Sequence, residues 1–311
     1  MTHRHLRRLL IAFSIGLILA AAGCGGNKTK ALLTAQEAYK LGKERYDHKK
    51  YLRAIESFQQ VIYNYPGDPV VDTAQYYLAL SYYGSKDYAL AGVEFNRLVL
   101  NYPGSVYADH AQFMRAVCTY ESTPKNAGLD QADLDQAIQQ FEDFIVEHPE
   151  SELVADANKY LTAARNREAK RFYSAAIVYS RIGAQEAAKI YYQKVIDDYT
   201  SSEYAPKASY NIAEEEMHMK KYDEARRRFE NFVVVYPDHP LVNKAKKRAA
   251  DAAFKAGELA YKKADFETAS GKFQSFKKDF PDDTRVRRAE QYLQEIAVKV
   301  SSAAPKADAN S

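Results

Sequence analysis

One spacing of residues recurs six times in this chain and constrains it more than any other feature. Over residues 222–237 it reads Tyr222, Ala225, Phe229, Tyr236, Pro237, and the same intervals separate Tyr51, Ala54, Phe58, Tyr65 and Pro66. They return at Tyr88/Ala91/Phe95/Tyr102/Pro103 and Phe266/Ala269/Phe273/Phe280/Pro281. Looser copies are Leu134/Ala137/Phe141/His148/Pro149 and Gln185/Ala188/Tyr192/Tyr199/Thr200. An Ala and an aromatic four residues apart lie on one helix face. The aromatic seven further on continues that stripe, and a Pro directly after it ends the helix. Six copies of one stopped amphipathic helix predict an all-α array in which each unit packs on its neighbours.

The partner helix of each unit precedes the motif. Twelve residues before the repeated Ala stands a small residue, Gly42, Ala79, Ala176, Ala213 or Gly257; the third unit keeps it at Ala116 if nine residues are inserted between its helices. Small residues there let two antiparallel helices approach closely, so each unit is a helical hairpin. A Gly or Ala in the first helix, then Ala, an aromatic and Pro in the second, closely resembles the tetratricopeptide pattern. The fold expected is a right-handed α-solenoid of about six tetratricopeptide-like hairpins over residues 31–298. Residues 285–298, with Ala289, Tyr292 and Leu293, read as a capping helix, and the Ala/Ser/Pro-rich residues 299–311 as a disordered tail.

The intervals between repeated alanines locate the exceptions. They are 37 (54 to 91), 46 (91 to 137), 51 (137 to 188), 37 (188 to 225) and 44 (225 to 269). Against 37, the third adds 14 residues and the last adds 7, which are whole heptads and keep an apolar face in phase. With no Gly or Pro between Pro149 and Gly183, one long helix is predicted over roughly residues 152–181. The nine extra residues of the second interval fall in residues 121–132, where Pro124 and Gly128 break any helix.

Composition narrows the function. A chain of 311 residues, 46% hydrophobic and 27% charged, is ordinary for a globular protein. Its 25 Tyr and 14 Phe, with no Trp, give the aromatic packing largely to rings with a polar tip. The formal charge of +3 comes from Arg4, Arg7 and Arg8; without residues 1–23 there are 41 basic and 41 acidic residues. That balance argues against a nucleic-acid partner. Two cysteines, Cys24 and Cys118, make no disulfide framework, and Cys118 sits in a helical run as a small apolar residue.

Residues 9–22 are apolar or small, with Ser14 the one polar member, and follow the three arginines. A run of 14 is too short to span a bilayer, which takes roughly 20 residues, and fits a secretory signal over residues 1–23. The stretch Leu19-Ala20-Ala21-Ala22-Gly23-Cys24 resembles the lipobox of bacterial lipoproteins, departing at Ala21 where Leu is usual. The resemblance implies cleavage before Cys24 and acylation of that residue, with Gly25 after it favouring the outer membrane. Several acyl chains on one residue anchor stably. Residues 24–30 are then a flexible tether.

No catalytic constellation appears: there is no Gly-rich phosphate loop, no His-Glu-x-x-His and no paired-Cys motif. Met217-His218-Met219 is no metal set, because successive helical residues diverge by about 100°. Glu214-Glu215-Glu216, Arg226-Arg227-Arg228 and residues 244–248 are charge runs, expected as solvated faces with partner contact as the alternative. The chain is therefore expected to be no enzyme and to need no cofactor beyond lipid on Cys24. A more specific pattern lies on the first helices. Tyr39, Tyr76 and Phe113 stand three residues before the small residue, and Tyr46, Tyr83 and Tyr120 four after it. These six form either an aromatic ladder facing a bound peptide or rings packed between neighbouring repeats.

A lipobox followed directly by tetratricopeptide hairpins, with an insert in the third and a long helix after it, resembles the BamD family. Those are lipoproteins of the outer-membrane β-barrel assembly machinery. The likeness is closest from Leu129-Asp130-Gln131 to Pro149 and covers roughly residues 33–240, with the sixth repeat, the capping helix and Thr200 as departures. It implies a non-enzymatic, outer-membrane-anchored scaffold facing the periplasm, monomeric within a hetero-complex. Its C-terminal repeats would bind a BamA-like barrel subunit, and its N-terminal repeats an unfolded outer-membrane protein substrate whose terminal signal ends in an aromatic. The alternative is a periplasmic tetratricopeptide adaptor of the Tol-Pal or envelope-division type.

Overall fold

The computed structural model describes residues 33–124 and 132–303, which are helical with short turns and contain no strand. The signal, Cys24 and the tether lie outside the described residues, as do residues 125–131 of the insert and 304–311 of the tail. Helices pair along the chain as α1 (Ala35–Asp47) with α2 (Tyr51–Asn64), and α3 (Val71–Gly84) with α4 (Tyr88–Asn101). They continue as α5 (Ala108–Ser122) with α6 (Ala132–Glu147), α7 (Val154–Arg181) with α8 (Gln185–Asp198), and α9 (Tyr204–His218) with α10 (Tyr222–Val235). The last pair is α11 (Val242–Lys262) with α12 (Phe266–Asp279), and α13 (Val286–Ala303) closes the array. The chain is an all-α solenoid of six hairpins and a cap.

Two turn chemistries set the helix ends. Inside a hairpin, the second residue after the first helix takes the left-handed conformation: Lys49, Lys86, Gly183, Lys220 and Ala264 have φ of 57°, 66°, 81°, 60° and 58°. That conformation lets Lys50 N–H donate to the Arg45 carbonyl and Lys49 N–H to the Tyr46 carbonyl, the Schellman arrangement that satisfies orphan carbonyls. Between hairpins, the helix stops at the repeated Tyr or Phe and the Pro follows. There the Asp68, His239 and Asp283 N–H groups donate to the carbonyls of Tyr65, Tyr236 and Phe280. Thr200 replaces that Pro, yet Ser202 N–H donates to the Tyr199 carbonyl at 2.9 Å, so the turn survives the substitution.

The repeated aromatics make the core. Phe58, Phe95, Phe141, Phe229 and Phe273 are fully buried and Tyr192 nearly so, each worth about 1.5–3 kcal/mol. In the first and last hairpins the ring lies directly over the small residue. A Cβ added to Gly42 would sit 2.7 Å from Phe58, and one added to Gly257 would sit 2.7 Å from Phe273.

The extra heptads lengthen first helices. α7 has 28 residues and α11 has 21, against 14 in α3. The first half of α7 (Ala157, Leu161, Tyr160) packs into the core built around Phe113 and Phe141. Its second half (Ala169, Tyr173, Ala176) packs with Tyr192. Two expectations need correction at their edges. The insert was expected to begin at residue 121, but α5 runs to Ser122. The disordered tail was expected from residue 299, but α13 runs to Ala303. Ala and Ser tolerate a last helical turn. Cys118 is buried as expected, and burial pushes its thiol up to about 12.

Candidate peptide-binding surface

The upper rung of the aromatic ladder is core. Tyr76 lies flat on Tyr107 with centroids 4.3 Å apart, and its Oη pairs with His110 Nδ1 at 2.9 Å. Phe113 is wedged among Phe141, Phe144 and Tyr160, with centroids 6.2, 5.7 and 6.0 Å away. At 7% and 6% exposure, Tyr76 and Phe113 cannot line an open groove, which corrects their standing as peptide contacts. Three residues before the small residue, a side chain points into the seam between hairpins rather than out of it. Tyr39 turns the same way, 6.0 Å from Phe58 and 6.2 Å from Tyr77, and burial pushes its phenol up to about 12.

The lower rung keeps part of each ring open. Tyr46 meets Tyr51 and Tyr77 edge-on at 5.8 and 5.4 Å. Tyr83 meets Tyr88 at 5.3 Å, and Tyr120 meets Tyr160 at 5.6 Å. All three are half-buried, so each has a supported ring with an accessible edge, the geometry of an aromatic contact for a bound chain. Tyr77 joins the first cluster, with the Lys43 ammonium 5.1 Å from its ring. It has no counterpart at the ladder spacing, and its place beside Tyr76 was the one signal that could have revealed it.

The insert is held from a distance. Arg167, in the extra length of α7, donates to the carbonyls of Thr123 at 3.2 Å and Pro124 at 2.6 Å. Its guanidinium also lies 5.0 Å from the Tyr120 ring. No spacing in the sequence links residue 167 to residue 124, and Arg167 escaped the sequence reading.

In the C-terminal half, ion pairs join the rings, and the lower rung returns at Tyr261, which meets Phe266 at 5.8 Å and Tyr292 at 4.9 Å. Glu214 pairs with Arg248, which also reaches Asp251 at 2.9 Å; Asp251 accepts from Arg285 at 2.8 Å, and Arg285 holds Asp283 at 2.8 Å. Tyr210 Oη donates to Glu214 at 2.6 Å. The glutamate run is therefore not a solvated face, which corrects that expectation, while Arg227, Arg228, Lys244, Lys246 and Lys247 of the basic runs are exposed as expected. Glu215 and Glu216 are 3% and 2% exposed, and Glu216 pairs with Arg228 at 2.8 Å and Lys189 at 3.3 Å. Arg226 bridges Glu230 and Asp279, each at 2.7 Å. With hairpins on both sides, α9 has little free face. Met217 is buried and His218 exposed, so the triplet diverges as expected. Among the described residues no group of three or more His, Cys, Asp or Glu side chains could hold a metal ion, and no helix is long and apolar enough to cross a membrane.

Comparison with known proteins bears on these surfaces. Residues 32–209 match the YfiO family, described as outer membrane lipoprotein, and residues 210–284 match a tetratricopeptide-repeat family. The search of curated proteins returned no match. Among solved structures, the TPR2AB domain of yeast Sti1 in its pHSP90 complex is similar with a TM-score of 0.41 at 13% identity, covering 85% of this chain and 98% of that one. Tetratricopeptide-repeat proteins from Bacteroides fragilis (TM-score 0.37, 12% identity) and Parabacteroides merdae (0.31, 14%) each cover 85% of this chain and 98% of theirs.

Proposed function

The chain belongs to the YfiO family of outer membrane lipoproteins, and from that membership we propose that it is a non-enzymatic scaffold of the β-barrel assembly machinery. It is anchored by lipid on Cys24, faces the periplasm, and helps fold and insert outer-membrane proteins. The observation that carries this reading is the family match over residues 32–209, which takes in the first four hairpins, the insert and the long α7.

Two surfaces divide the work. The half-open rings of Tyr46, Tyr83 and Tyr120 receive an unfolded barrel substrate at the N-terminal hairpins. The barrel-forming core subunit docks further along, on hairpin four. There Val178, Ile182 and Ile190 are 56%, 71% and 70% exposed around a stacked Tyr179–Tyr191 pair. Large aliphatic side chains grouped at that exposure are typical of a protein contact.

Affinity purification of the full chain from solubilised outer membranes tests the reading. Recovery of a large β-barrel protein, lost on Ile182→Asp/Ile190→Asp substitution, is the expected result. Recovery of Tol or Pal components in its place would overturn it in favour of the envelope-division adaptor. A Cys24→Ser variant is expected to leave the membrane fraction on a salt wash, and its retention there would remove the anchor from the proposal.

A further inference from the structure

Hairpin three departs from the repeat at a second place. Thirteen residues before the repeated Ala, with the nine inserted residues discounted, five hairpins carry Leu41, Leu78, Ala175, Ile212 or Ala256. Hairpin three carries Arg115. Leu78 and Ile212 are 2% and 1% exposed, so the position points between helices, where a cation is costly to bury without a partner. Arg115 Nη1 donates to Asn96 Oδ1 at 2.8 Å, but its Nε is buried with no acceptor. Arg115 pairs with no carboxylate among the described residues. Across the same space Gln140 Oε1 is buried with no donor.

Both side chains line a groove of about 600 Å³ whose floor is α5 and whose walls are α4 and α6. Gly92, on the α4 wall, has no side chain to fill it. Because α4 and α6 both run antiparallel to α5, Tyr88 and Asp133 share one end of the groove. Arg115 and Gln140 lie towards the other. The α4 wall runs from Tyr88 to Arg97, about 13 Å at 1.5 Å per residue. That is the length of about four residues of extended chain.

We propose that this groove binds an extended segment of a partner protein, about four residues long and carrying an Asp or Glu. Its carboxylate takes the Arg115 guanidinium, whose planar fork fits a carboxylate in two-point contact. A backbone N–H of the segment donates to Gln140 Oε1, so binding satisfies the buried donor and the buried acceptor together. The acidic end of the groove at Asp133 favours a Lys or Arg three residues away in the same segment. The occupant follows from charge complementarity; the groove adjoins the lower rung at Tyr88, which packs on Tyr83, and is separate from hairpin four.

The test uses the full chain and a fluorescein-labelled, C-terminally amidated hexapeptide, Thr-Glu-Val-Thr-Lys-Thr, followed by anisotropy. Saturable binding is expected, weakened at least about tenfold by Arg115→Leu and equally by Gln in place of the peptide Glu. The Arg115→Leu variant should keep or raise the melting temperature, because Leu fills this position in hairpins one and two. Four results would each overturn the proposal: no saturable binding up to millimolar peptide, equal affinity in either control, displacement by acetate at the peptide's own concentration, or a lower melting temperature for Arg115→Leu. The third would mean that a lone carboxylate suffices, and the last that Arg115 is purely structural.

Discussion

At Gly257 the fold leaves no room for a methyl group. The ring of Phe273 would lie 2.7 Å from an added Cβ, and both residues are held by a core that cannot shift cheaply. Gly257→Ala is expected to lower stability by about 1–3 kcal/mol, seen as a lower midpoint of chemical unfolding. Seven residues on, the opposite change helps. Ala264 has φ of 58°, a conformation that disfavours a Cβ, so Ala264→Gly should raise stability by up to about 1 kcal/mol. His110 supplies a pH dependence. Burial holds its imidazole below its ordinary value, so the unfolded chain takes up a proton at a pH where the folded one does not. Stability should therefore fall as pH drops below about 6.5, and His110→Gln should flatten that part of the profile measured by thermal unfolding. The small residues were legible as spacing, and so was their role. The burial of Glu215 and Glu216 was not, because three consecutive glutamates look like a solvated face until the neighbouring hairpins cover it.

At the scale of one element, α7 decides most. Its length was legible from a 14-residue surplus free of Gly and Pro, since whole heptads leave an apolar stripe in register. Which core each half enters was not, because heptad phase fixes a face and not a neighbour. The grip of Arg167 on the Thr123 and Pro124 carbonyls is of that second kind. Arg167→Ala should speed amide hydrogen exchange in the last turn of α5 and leave the global melting temperature nearly unchanged. A large global loss would mean that Arg167 supports the whole stack. The lower-rung rings are read the same way: their spacing was visible, while their half-exposure and the burial of Tyr76 and Phe113 depended on how tightly adjacent hairpins close.

On the scale of the whole molecule there is no single core. The described residues form five clusters strung along the array, each built from adjoining helices, so stability is close to a sum of neighbour terms. The cap illustrates this. Tyr292 of α13 stacks on Phe273 at 4.8 Å, and Ala289 and Ile296 are buried against hairpin six. Ending the chain before α13 should unfold hairpin six and leave hairpins one to three intact, which calorimetry would record as a new early transition. The ion pairs add a second pH term there. Arg285 holds the Asp283 carboxyl below its usual range, so that stabilisation is present above about pH 4 and lost as pH falls through the lower folded value. Asp283→Asn should remove the acid-side loss without changing the melting temperature slope near neutral pH.

The sequence by itself determined the all-helical class, the six hairpins, their phase and the places where the repeat breaks. Those depend on contacts between residues four to about forty apart, and a periodic sequence writes such contacts as spacing. Only the tertiary structure decided which aromatics close the seams and which stay half open. It also decided that Arg167 reaches back to the insert, and that Arg115 faces a groove with its charge unmatched. Those outcomes turn on how closely neighbouring hairpins approach and on which side chains they cover, and no spacing along the chain carries that information.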